Sequence, residues 1–440
     1  THPDEPIPIE TKQKIERWSN YMLTPYVRPP IILSHGKGCK VWDLSGRQYL
    51  DFTAGIAVNA LGHADQQVAK VIQEESLKLV HCSNMFHNQH AGELAMTLVE
   101  LTKRFGGLGY APLSDTNSSL NQSHGSKVFF ANSGAEANEG ALKFARKLGK
   151  VLDPSGKKTN IVCFKNAFHG RTFGALSVTS QPKYQLPFSP LVPGVIPGDL
   201  NDIGALKTLI TDETCGVIIE PIQAEGGILD ADELFLRALR ARCDEVNTIL
   251  IYDEIQCGLG RTGNLWAHGS LPVDCHPDVM TMAKPLANGI PIGAIMMTDR
   301  VANQIQTGDH GTTFGGGPLQ TAVGNHVVKR IGTKEFLWNV TETGKFLKSG
   351  LETLSEKFPR IMVGGVRGRG LILGIDINDQ VEKIDLVKEL IKRSRERGML
   401  ILSCGKSTIR LVPSLIVSKH EVKELLKVLE SVMVELDGEL

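Results

Sequence analysis

Between Lys127 and Thr298 the chain repeats one pattern, a short apolar run followed by a helix-like stretch. The runs are VFFAN from Val128, IVCFK from Ile161, CGVIIEP from Cys215, TILIYDEI from Thr248 and IGAIMMT from Ile292. Strands this apolar, alternating with helices, imply a mainly parallel sheet whose two faces are both covered. At 440 residues the chain is too long for one simple core, so more than one packed unit is expected. The fold class read here is α/β: a large domain with a central sheet, plus a small α+β domain built from both chain ends. The expected boundaries are residues 1–75 for an N-terminal arm and part of the small domain, 76–332 for the large domain, and 333–440 for the C-terminal small domain.

Flanking segments fill in this plan. Residues 9–22 carry a polar helical pattern that stops before the proline-rich Pro25 to Pro30, and GCKVWDLSGRQYLDF from Gly38 reads as a hairpin. Residues 64–104 look helical, and the Gly-, Ser- and Asn-rich segment 105–126 reads as a surface loop. Past Gly332 come a long helix, VRGRGLILGIDI, an amphipathic DLVKELIKRSRER, a strand-like MLILS, and a last helix opened by Ser418 with Glu421 as a capping box.

Composition narrows the ligands. Lys plus Arg equals Asp plus Glu at 48 each, which removes any bulk electrostatic case for nucleic acid or an anionic membrane. No apolar run approaches the roughly 18 residues of a membrane span. Small molecules are the expected partners. The eight cysteines form no C-x-x-C pair and read as reduced, buried thiols, not a disulfide framework or a zinc site. The chain opens at Thr1 with no charged-then-apolar leader, so any targeting segment is expected to lie upstream.

Four places concentrate chemistry, and each also has a plain structural reading. In VFFANSGAEANEGALKFARK, Ser133 and Glu136 form an S-x-x-E capping box, and Ala137, Ala141, Leu142, Ala145 and Leu148 give an apolar stripe. The same strand-to-helix turn at Ser133, Gly134 and Ala135 offers backbone N–H groups to an anion. KNAFHGRTFGALSVT places Phe168 and Arg171 after a strand, as a core aromatic with a solvated arginine, or as a ring stacker with a carboxylate grip. Asp253 follows buried apolar residues, where a carboxylate is tolerated only with a partner. Lys284 stands in TMAKPLANGIPIGAIMM, an apolar run where a lysine either snorkels to water or is put to use. An anion cradle, a stacking ring, a buried acid and a desolvated amine, in this order, fit pyridoxal 5'-phosphate. No ligand-spaced cluster suggests a metal. The absence of G-x-G-x-x-G after a strand, and of G-x-x-x-x-G-K-[ST], argues against a dehydrogenase or a nucleotide hydrolase.

Taken together, FFANSGAEANE, AFHGRTFGALSVT, VIIEPIQAEGG, LIYDEIQCGLGRTG, TMAKPLANGIPIGA, HGTTFGG and IRLVP resemble the class III, fold-type I pyridoxal phosphate aminotransferases across nearly the whole chain. Within the class, FHGRT, QPKY and LDFTAGIAVNALGH are most similar to the members that act on N-acetylornithine. The resemblance implies that Lys284 bonds to the cofactor aldehyde and then shuttles the substrate proton. Asp253 would hold the pyridine nitrogen protonated, Gln256 would touch the ring hydroxyl, Phe168 would cover the ring face, and Glu220 would belong to the cofactor site. Ser133, Gly134 and Ala135 would cradle the phosphate, joined by Thr313 from the second subunit of a homodimer. Arg410 would grip the carboxylate beside the reacting carbon of 2-oxoglutarate or glutamate, Arg171 the distant carboxylate with Tyr26 assisting, and Glu225 would mask Arg410 in the donor half-reaction.

The implied activity moves the distal amine of N-acetylornithine to 2-oxoglutarate, in arginine biosynthesis. Ornithine or 4-aminobutyrate aminotransferase is the alternative, with a catalytically inert cofactor-binding regulator behind it. Ala135 replaces a common Thr, Gly317 a usual Asn, and Ser414 a frequent Pro; none touches the chemistry. The long 105–126 segment fits a eukaryotic, mitochondrial matrix form, with the cytoplasm as the other expectation.

Overall fold

The protein was analysed as a computed structural model that describes residues 2–113 and 125–440. After the arm helix Ile9–Ser19 come three antiparallel strands, β1 Leu33–Lys37, β2 Lys40–Asp43 and β3 Gln48–Asp51. The β2–β3 hairpin turns where expected because the Asp43 carboxylate accepts hydrogen bonds from the N–H groups of Ser45 and Arg47, at 2.9 and 3.0 Å. The helical region divides into Gln66–Ser76 and Gln89–Phe105, each opened by a side chain, Asp65 and Asn88, that accepts from first-turn N–H groups. Of the expected surface loop, residues 114–124 lie outside the described residues.

The central sheet draws on β4 Ser126–Ala131, β5 Asn160–Phe164, β6 Val195–Gly198 and β7 Thr214–Ile219. The two-residue strands β8 Ile222–Gln223 and β9 Leu229–Asp230 form a small hairpin beside it. β10 Ile249–Asp253, β11 Val279–Met282 and β12 Gly293–Thr298 complete the sheet, whose order is β4-β12-β11-β10-β7-β5-β6. Only β12 runs against its neighbours; the other six strands are mutually parallel. β6 and β11 add to the five runs legible in the sequence. The helix Gly134–Leu152 lies on this sheet against β7, β11 and β12, with its whole Ala137, Ala141, Leu142, Ala145 and Leu148 stripe buried. Packing is close: a Cβ on Gly216 of β7 would stand 2.8 Å from that of Ala145.

The C-terminal part supplies β13 Arg367–Arg369, β14 Ile372–Asp376, β15 Met399–Leu400, β16 Leu402–Cys404 and β17 Thr408–Leu411. Four of these form an antiparallel sheet in the order β13-β14-β17-β16. β15 instead pairs in parallel with β3, so residues near both ends of the chain share one sheet. The final helix Lys419–Glu439 opens with the full Ser418–Glu421 capping box. All eight cysteines are free and seven are buried. Among the described residues no helix is long and apolar enough to cross a membrane.

Candidate active site

Because the six strands run in parallel, whatever follows them emerges on one edge of the sheet, where open α/β folds bind ligands. Ser133 lies just after β4, Phe168 after β5, Glu220 after β7, Asp253 ends β10 and Lys284 follows β11. These residues, with Gly134, Ala135, Arg171 and Gln256, line one cavity of about 450 Å³.

The acid is held from behind. Asp253 is 3% exposed; its Oδ2 stands 2.8 Å from His169 Nδ1 and accepts from Asn138 Nδ2, also at 2.8 Å. Thr281 of β11 donates to Asn138 Oδ1 at 2.7 Å, and Asn138 Nδ2 also reaches the His169 carbonyl. That chain fixes the amide so that its N–H groups face the carboxylate. Among the described residues Oδ1 accepts the Ile255 N–H alone, at 3.0 Å, and keeps acceptor capacity in a residue that lines the cavity. Glu220, also buried, accepts from the Phe168 and Ala224 N–H groups at 2.8 and 3.3 Å. Burial pushes its carboxyl well above the usual carboxylate range, with the nearby Asp253 charge acting the same way and His169 opposing.

Across the cavity, Lys284 opens a short 3-10 turn, Lys284–Ala287, ended by left-handed Asn288, whose Oδ1 accepts from Leu61 N at 2.8 Å. Burial lowers the lysine to about 8; Arg410 works in the same direction, while Asp253, Glu220 and Glu225 oppose. A neutral amine is therefore far more accessible at Lys284 than at an ordinary lysine.

The cradle departs from expectation in one detail. Ser133 Oγ does accept from Glu136 N, at 3.2 Å, but the Glu136 carboxylate takes Asn132 N and Nδ2, at 2.7 and 2.8 Å, instead of Ser133 N. The reciprocal half of the capping box is thus displaced one residue upstream, to Asn132, which also lines the cavity. Two glycines make the approach possible: a Cβ on Gly293 would stand 2.2 Å from the Ser133 carbonyl oxygen, and one on Gly170, at φ +137°, 2.7 Å from Ala135 Cβ.

The second arm of the site is built from charged groups. Arg410 is buried on β17, pairs with Glu225 at 3.3 Å, and donates to Gln256 Oε1 at 3.3 Å and the Ala224 carbonyl at 3.4 Å. Gln256 thus faces the arginine while lining the cavity. Arg171 lies with its guanidinium carbon 3.7 Å from the Tyr184 ring centre and 5.5 Å from that of Phe168. Tyr184 donates from its hydroxyl to Glu225 Oε1 at 3.1 Å.

Two expected residues lie elsewhere. Tyr26 is 67% exposed on the arm and lines a separate groove with Trp18, Met22 and Pro29. Thr313 is exposed and does not line the cavity, whereas its neighbour Thr312 accepts from Asn132 Nδ2 at 2.9 Å. Three residues given no role in the sequence come into the site: Asn138, His169 and Tyr184. Asn138 lies in FFANSGAEANE, His169 in AFHGRTFGALSVT and Tyr184 ends QPKY, so a polar residue within a recognised motif was the available signal for all three.

The donor set suits pyridoxal phosphate: helix N-terminal N–H groups for an anion, a buried carboxylate with spare capacity for a ring N–H, a desolvated amine for an aldehyde, and the Phe168 ring nearby. Among the described residues no group of three His, Cys, Asp or Glu side chains could hold a metal ion.

A family profile described as Aminotransferase class-III matches residues 21–433. A Neurospora crassa protein named acetylornithine aminotransferase, mitochondrial, is 49% identical over 98% of this chain and 89% of its own length. Among solved structures, an N-acetylornithine aminotransferase from Stenotrophomonas maltophilia superposes with a TM-score of 0.78 at 32% identity, covering 97% of this chain and 100% of that one. An ornithine aminotransferase from Toxoplasma gondii, described with partial occupancy of PLP at its active site, gives 0.86 at 27% identity over 99% and 96%. With the cavity formed by its own motifs and a profile spanning nearly its whole length, the chain belongs to the class III aminotransferases.

Proposed function

We propose that the chain transfers the distal amino group of N-acetylornithine to 2-oxoglutarate, giving N-acetylglutamate semialdehyde and glutamate. The observation that carries this reading is the Glu225–Arg410 pair at 3.3 Å beside the cavity: a carboxylate-binding arginine that can be covered for one substrate and uncovered for the other. The choice of an acetylated donor is supported by the Neurospora and Stenotrophomonas relatives.

Pyridoxal phosphate, when bound, supplies an electrophilic carbonyl and an electron-withdrawing ring. The N–H groups at Ser133, Gly134 and Ala135 would hold its phosphate, and Thr313 of a second copy of the chain would close that cradle in a homodimer. Phe168 would lie against the ring face, Gln256 and Glu220 would border its polar edge, and Asp253 would keep the ring nitrogen protonated. Lys284 is the catalytic residue: burial favours its neutral amine, which would hold the cofactor aldehyde and would carry the proton at the reacting carbon of the substrate. Arg171 binds the carboxylate far from that carbon in both substrates. Arg410 binds the near carboxylate of 2-oxoglutarate only, and Glu225 neutralises it while the donor amine occupies the site. The name of the Neurospora relative supports a mitochondrial location, read here as the matrix.

Specificity constants for acetylated and free ornithine test the substrate, and a preference for free ornithine overturns it. An active monomer on gel filtration removes Thr313 from the site.

A further inference from the structure

Tyr184 joins the two arginines. Its ring carries Arg171 on one side at 3.7 Å, with Lys183 Nζ also within 4.7 Å of the ring centre, and meets the edge of Phe168 at 5.9 Å and 84°. Its hydroxyl bonds to Glu225 Oε1 at 3.1 Å, while Oε2 of the same carboxylate faces Arg410 Nη2 at 3.3 Å. The two oxygens of Glu225 therefore have different owners: one belongs to the arginine it covers, the other to a phenol that takes no part in covering it.

We propose that Tyr184 is a positioning residue, the tether on which Glu225 pivots as it uncovers Arg410 for a dicarboxylate. The proposal rests on the two-arginine reading above. Its energetics turn on the difference between two states, since a bond kept equally in both shifts nothing. With Arg410 covered, the charge on Glu225 is shared between a guanidinium and the hydroxyl. Once a substrate carboxylate has taken Arg410, the hydroxyl is the partner that remains for Glu225, and a neutral donor binds an otherwise uncompensated carboxylate more strongly. Without the hydroxyl both Glu225 oxygens are free to turn to Arg410, so the covered state tightens as the uncovered one loses its partner. Removing the hydroxyl therefore selects against ligands that need Arg410 and spares those that need Arg171 alone.

Calorimetry on the holoenzyme tests this with two unreactive probes: glutarate, with a carboxylate for each arginine, and N-acetylnorvaline, with one for Arg171. Tyr184→Phe keeps the ring under Arg171 and is expected to weaken glutarate roughly tenfold while moving N-acetylnorvaline by less than about twofold. In turnover the same variant raises KM for 2-oxoglutarate and leaves KM for the donor and kcat near wild type. Tyr184→Leu, which also removes the ring, weakens both probes. In a Glu225→Ala background Tyr184→Phe has no further effect on glutarate, as a tether acting only through Glu225 requires. Equal effects of Tyr184→Phe on both probes, no effect on glutarate, or an undiminished effect in the Glu225→Ala background each overturn the tether. Wild-type protein that binds N-acetylnorvaline but not glutarate overturns the two-arginine reading itself, and the tether with it.

Discussion

Asp253 and Glu254 are consecutive, both buried, and each is matched to a histidine, yet they do different work. Asp253 Oδ2 lies 2.8 Å from His169 Nδ1, and Glu254 Oε1 lies 2.6 Å from His268 Nδ1. Glu254 turns away from the cavity into the loop after β10, where it also accepts from the N–H groups of Ala267 and His268, at 2.8 and 3.1 Å, and from the Cys257 thiol at 3.6 Å. Its acceptor capacity is spent on its own scaffold. Asp253 faces a cavity with one oxygen lightly used. What separates a working acid from a structural one here is unfilled hydrogen-bonding capacity pointed at open space, with burial and a histidine partner common to both.

Four measurements press on that distinction. Asp253→Asn keeps the shape but loses the charge, so the transamination rate should fall on the order of 10³-fold while the folded protein persists by circular dichroism. Glu254→Ala should do the reverse: it strands buried donors, lowers stability by roughly 3 kcal/mol in urea unfolding, and leaves the rate of the folded fraction near wild type. Comparable rate losses in both variants, at matched folded fractions, break the comparison.

Lys284 shares the character of Asp253, and pH exposes it. Its folded pKa, about 8, lies below the ordinary lysine value, so the penalty of burying the ammonium is present in full below pH 8. The penalty fades as pH climbs from there toward the unfolded lysine's value. The cofactor-free Lys284→Met variant should therefore be more stable than wild type at pH 7, on the order of 1 kcal/mol, with the gap closing above pH 8. A gap that stays constant from pH 7 to pH 10 refutes the assignment. Smallest is Cys257→Ala, which removes one weak thiol donor from Glu254 and should lower stability by no more than about 1 kcal/mol, leaving the rate unchanged.

Much of this was readable before any coordinates. Ser133 and Asp253 each sit where an apolar strand stops, and a polar residue at a strand end is a local signal; Lys284 instead stood out as the one cation in an apolar run. The β11 strand was not separable, because Val279 to Met297 is apolar almost throughout, broken by Thr281, Lys284 and Asn288. The reversal of β12 had a quieter sign: ten residues between β11 and β12 suit an antiparallel return better than a crossover. What Asn138 and Tyr184 bond to stayed illegible for another reason. They find Asp253 and Glu225 at separations of 115 and 41 residues, and no local pattern encodes a meeting at that range.

The reversed strand also bears on how the chain is made. β12 fills the gap between β4 and β11; β4 is the edge strand, while β11 also pairs with β10. A nascent chain emerging in order therefore carries the apolar β4, ended at Ala131, without its sheet neighbour until the segment from Gly293 to Thr298 arrives to join it to β11. The turn at Ser133 then gains its neighbour Gly293, and the lysine loop is pinned between two paired strands in the same event. Completing the sheet thus forms the anion turn and the lysine loop together, while Arg410 on β17 joins the site only when the small sheet has been made.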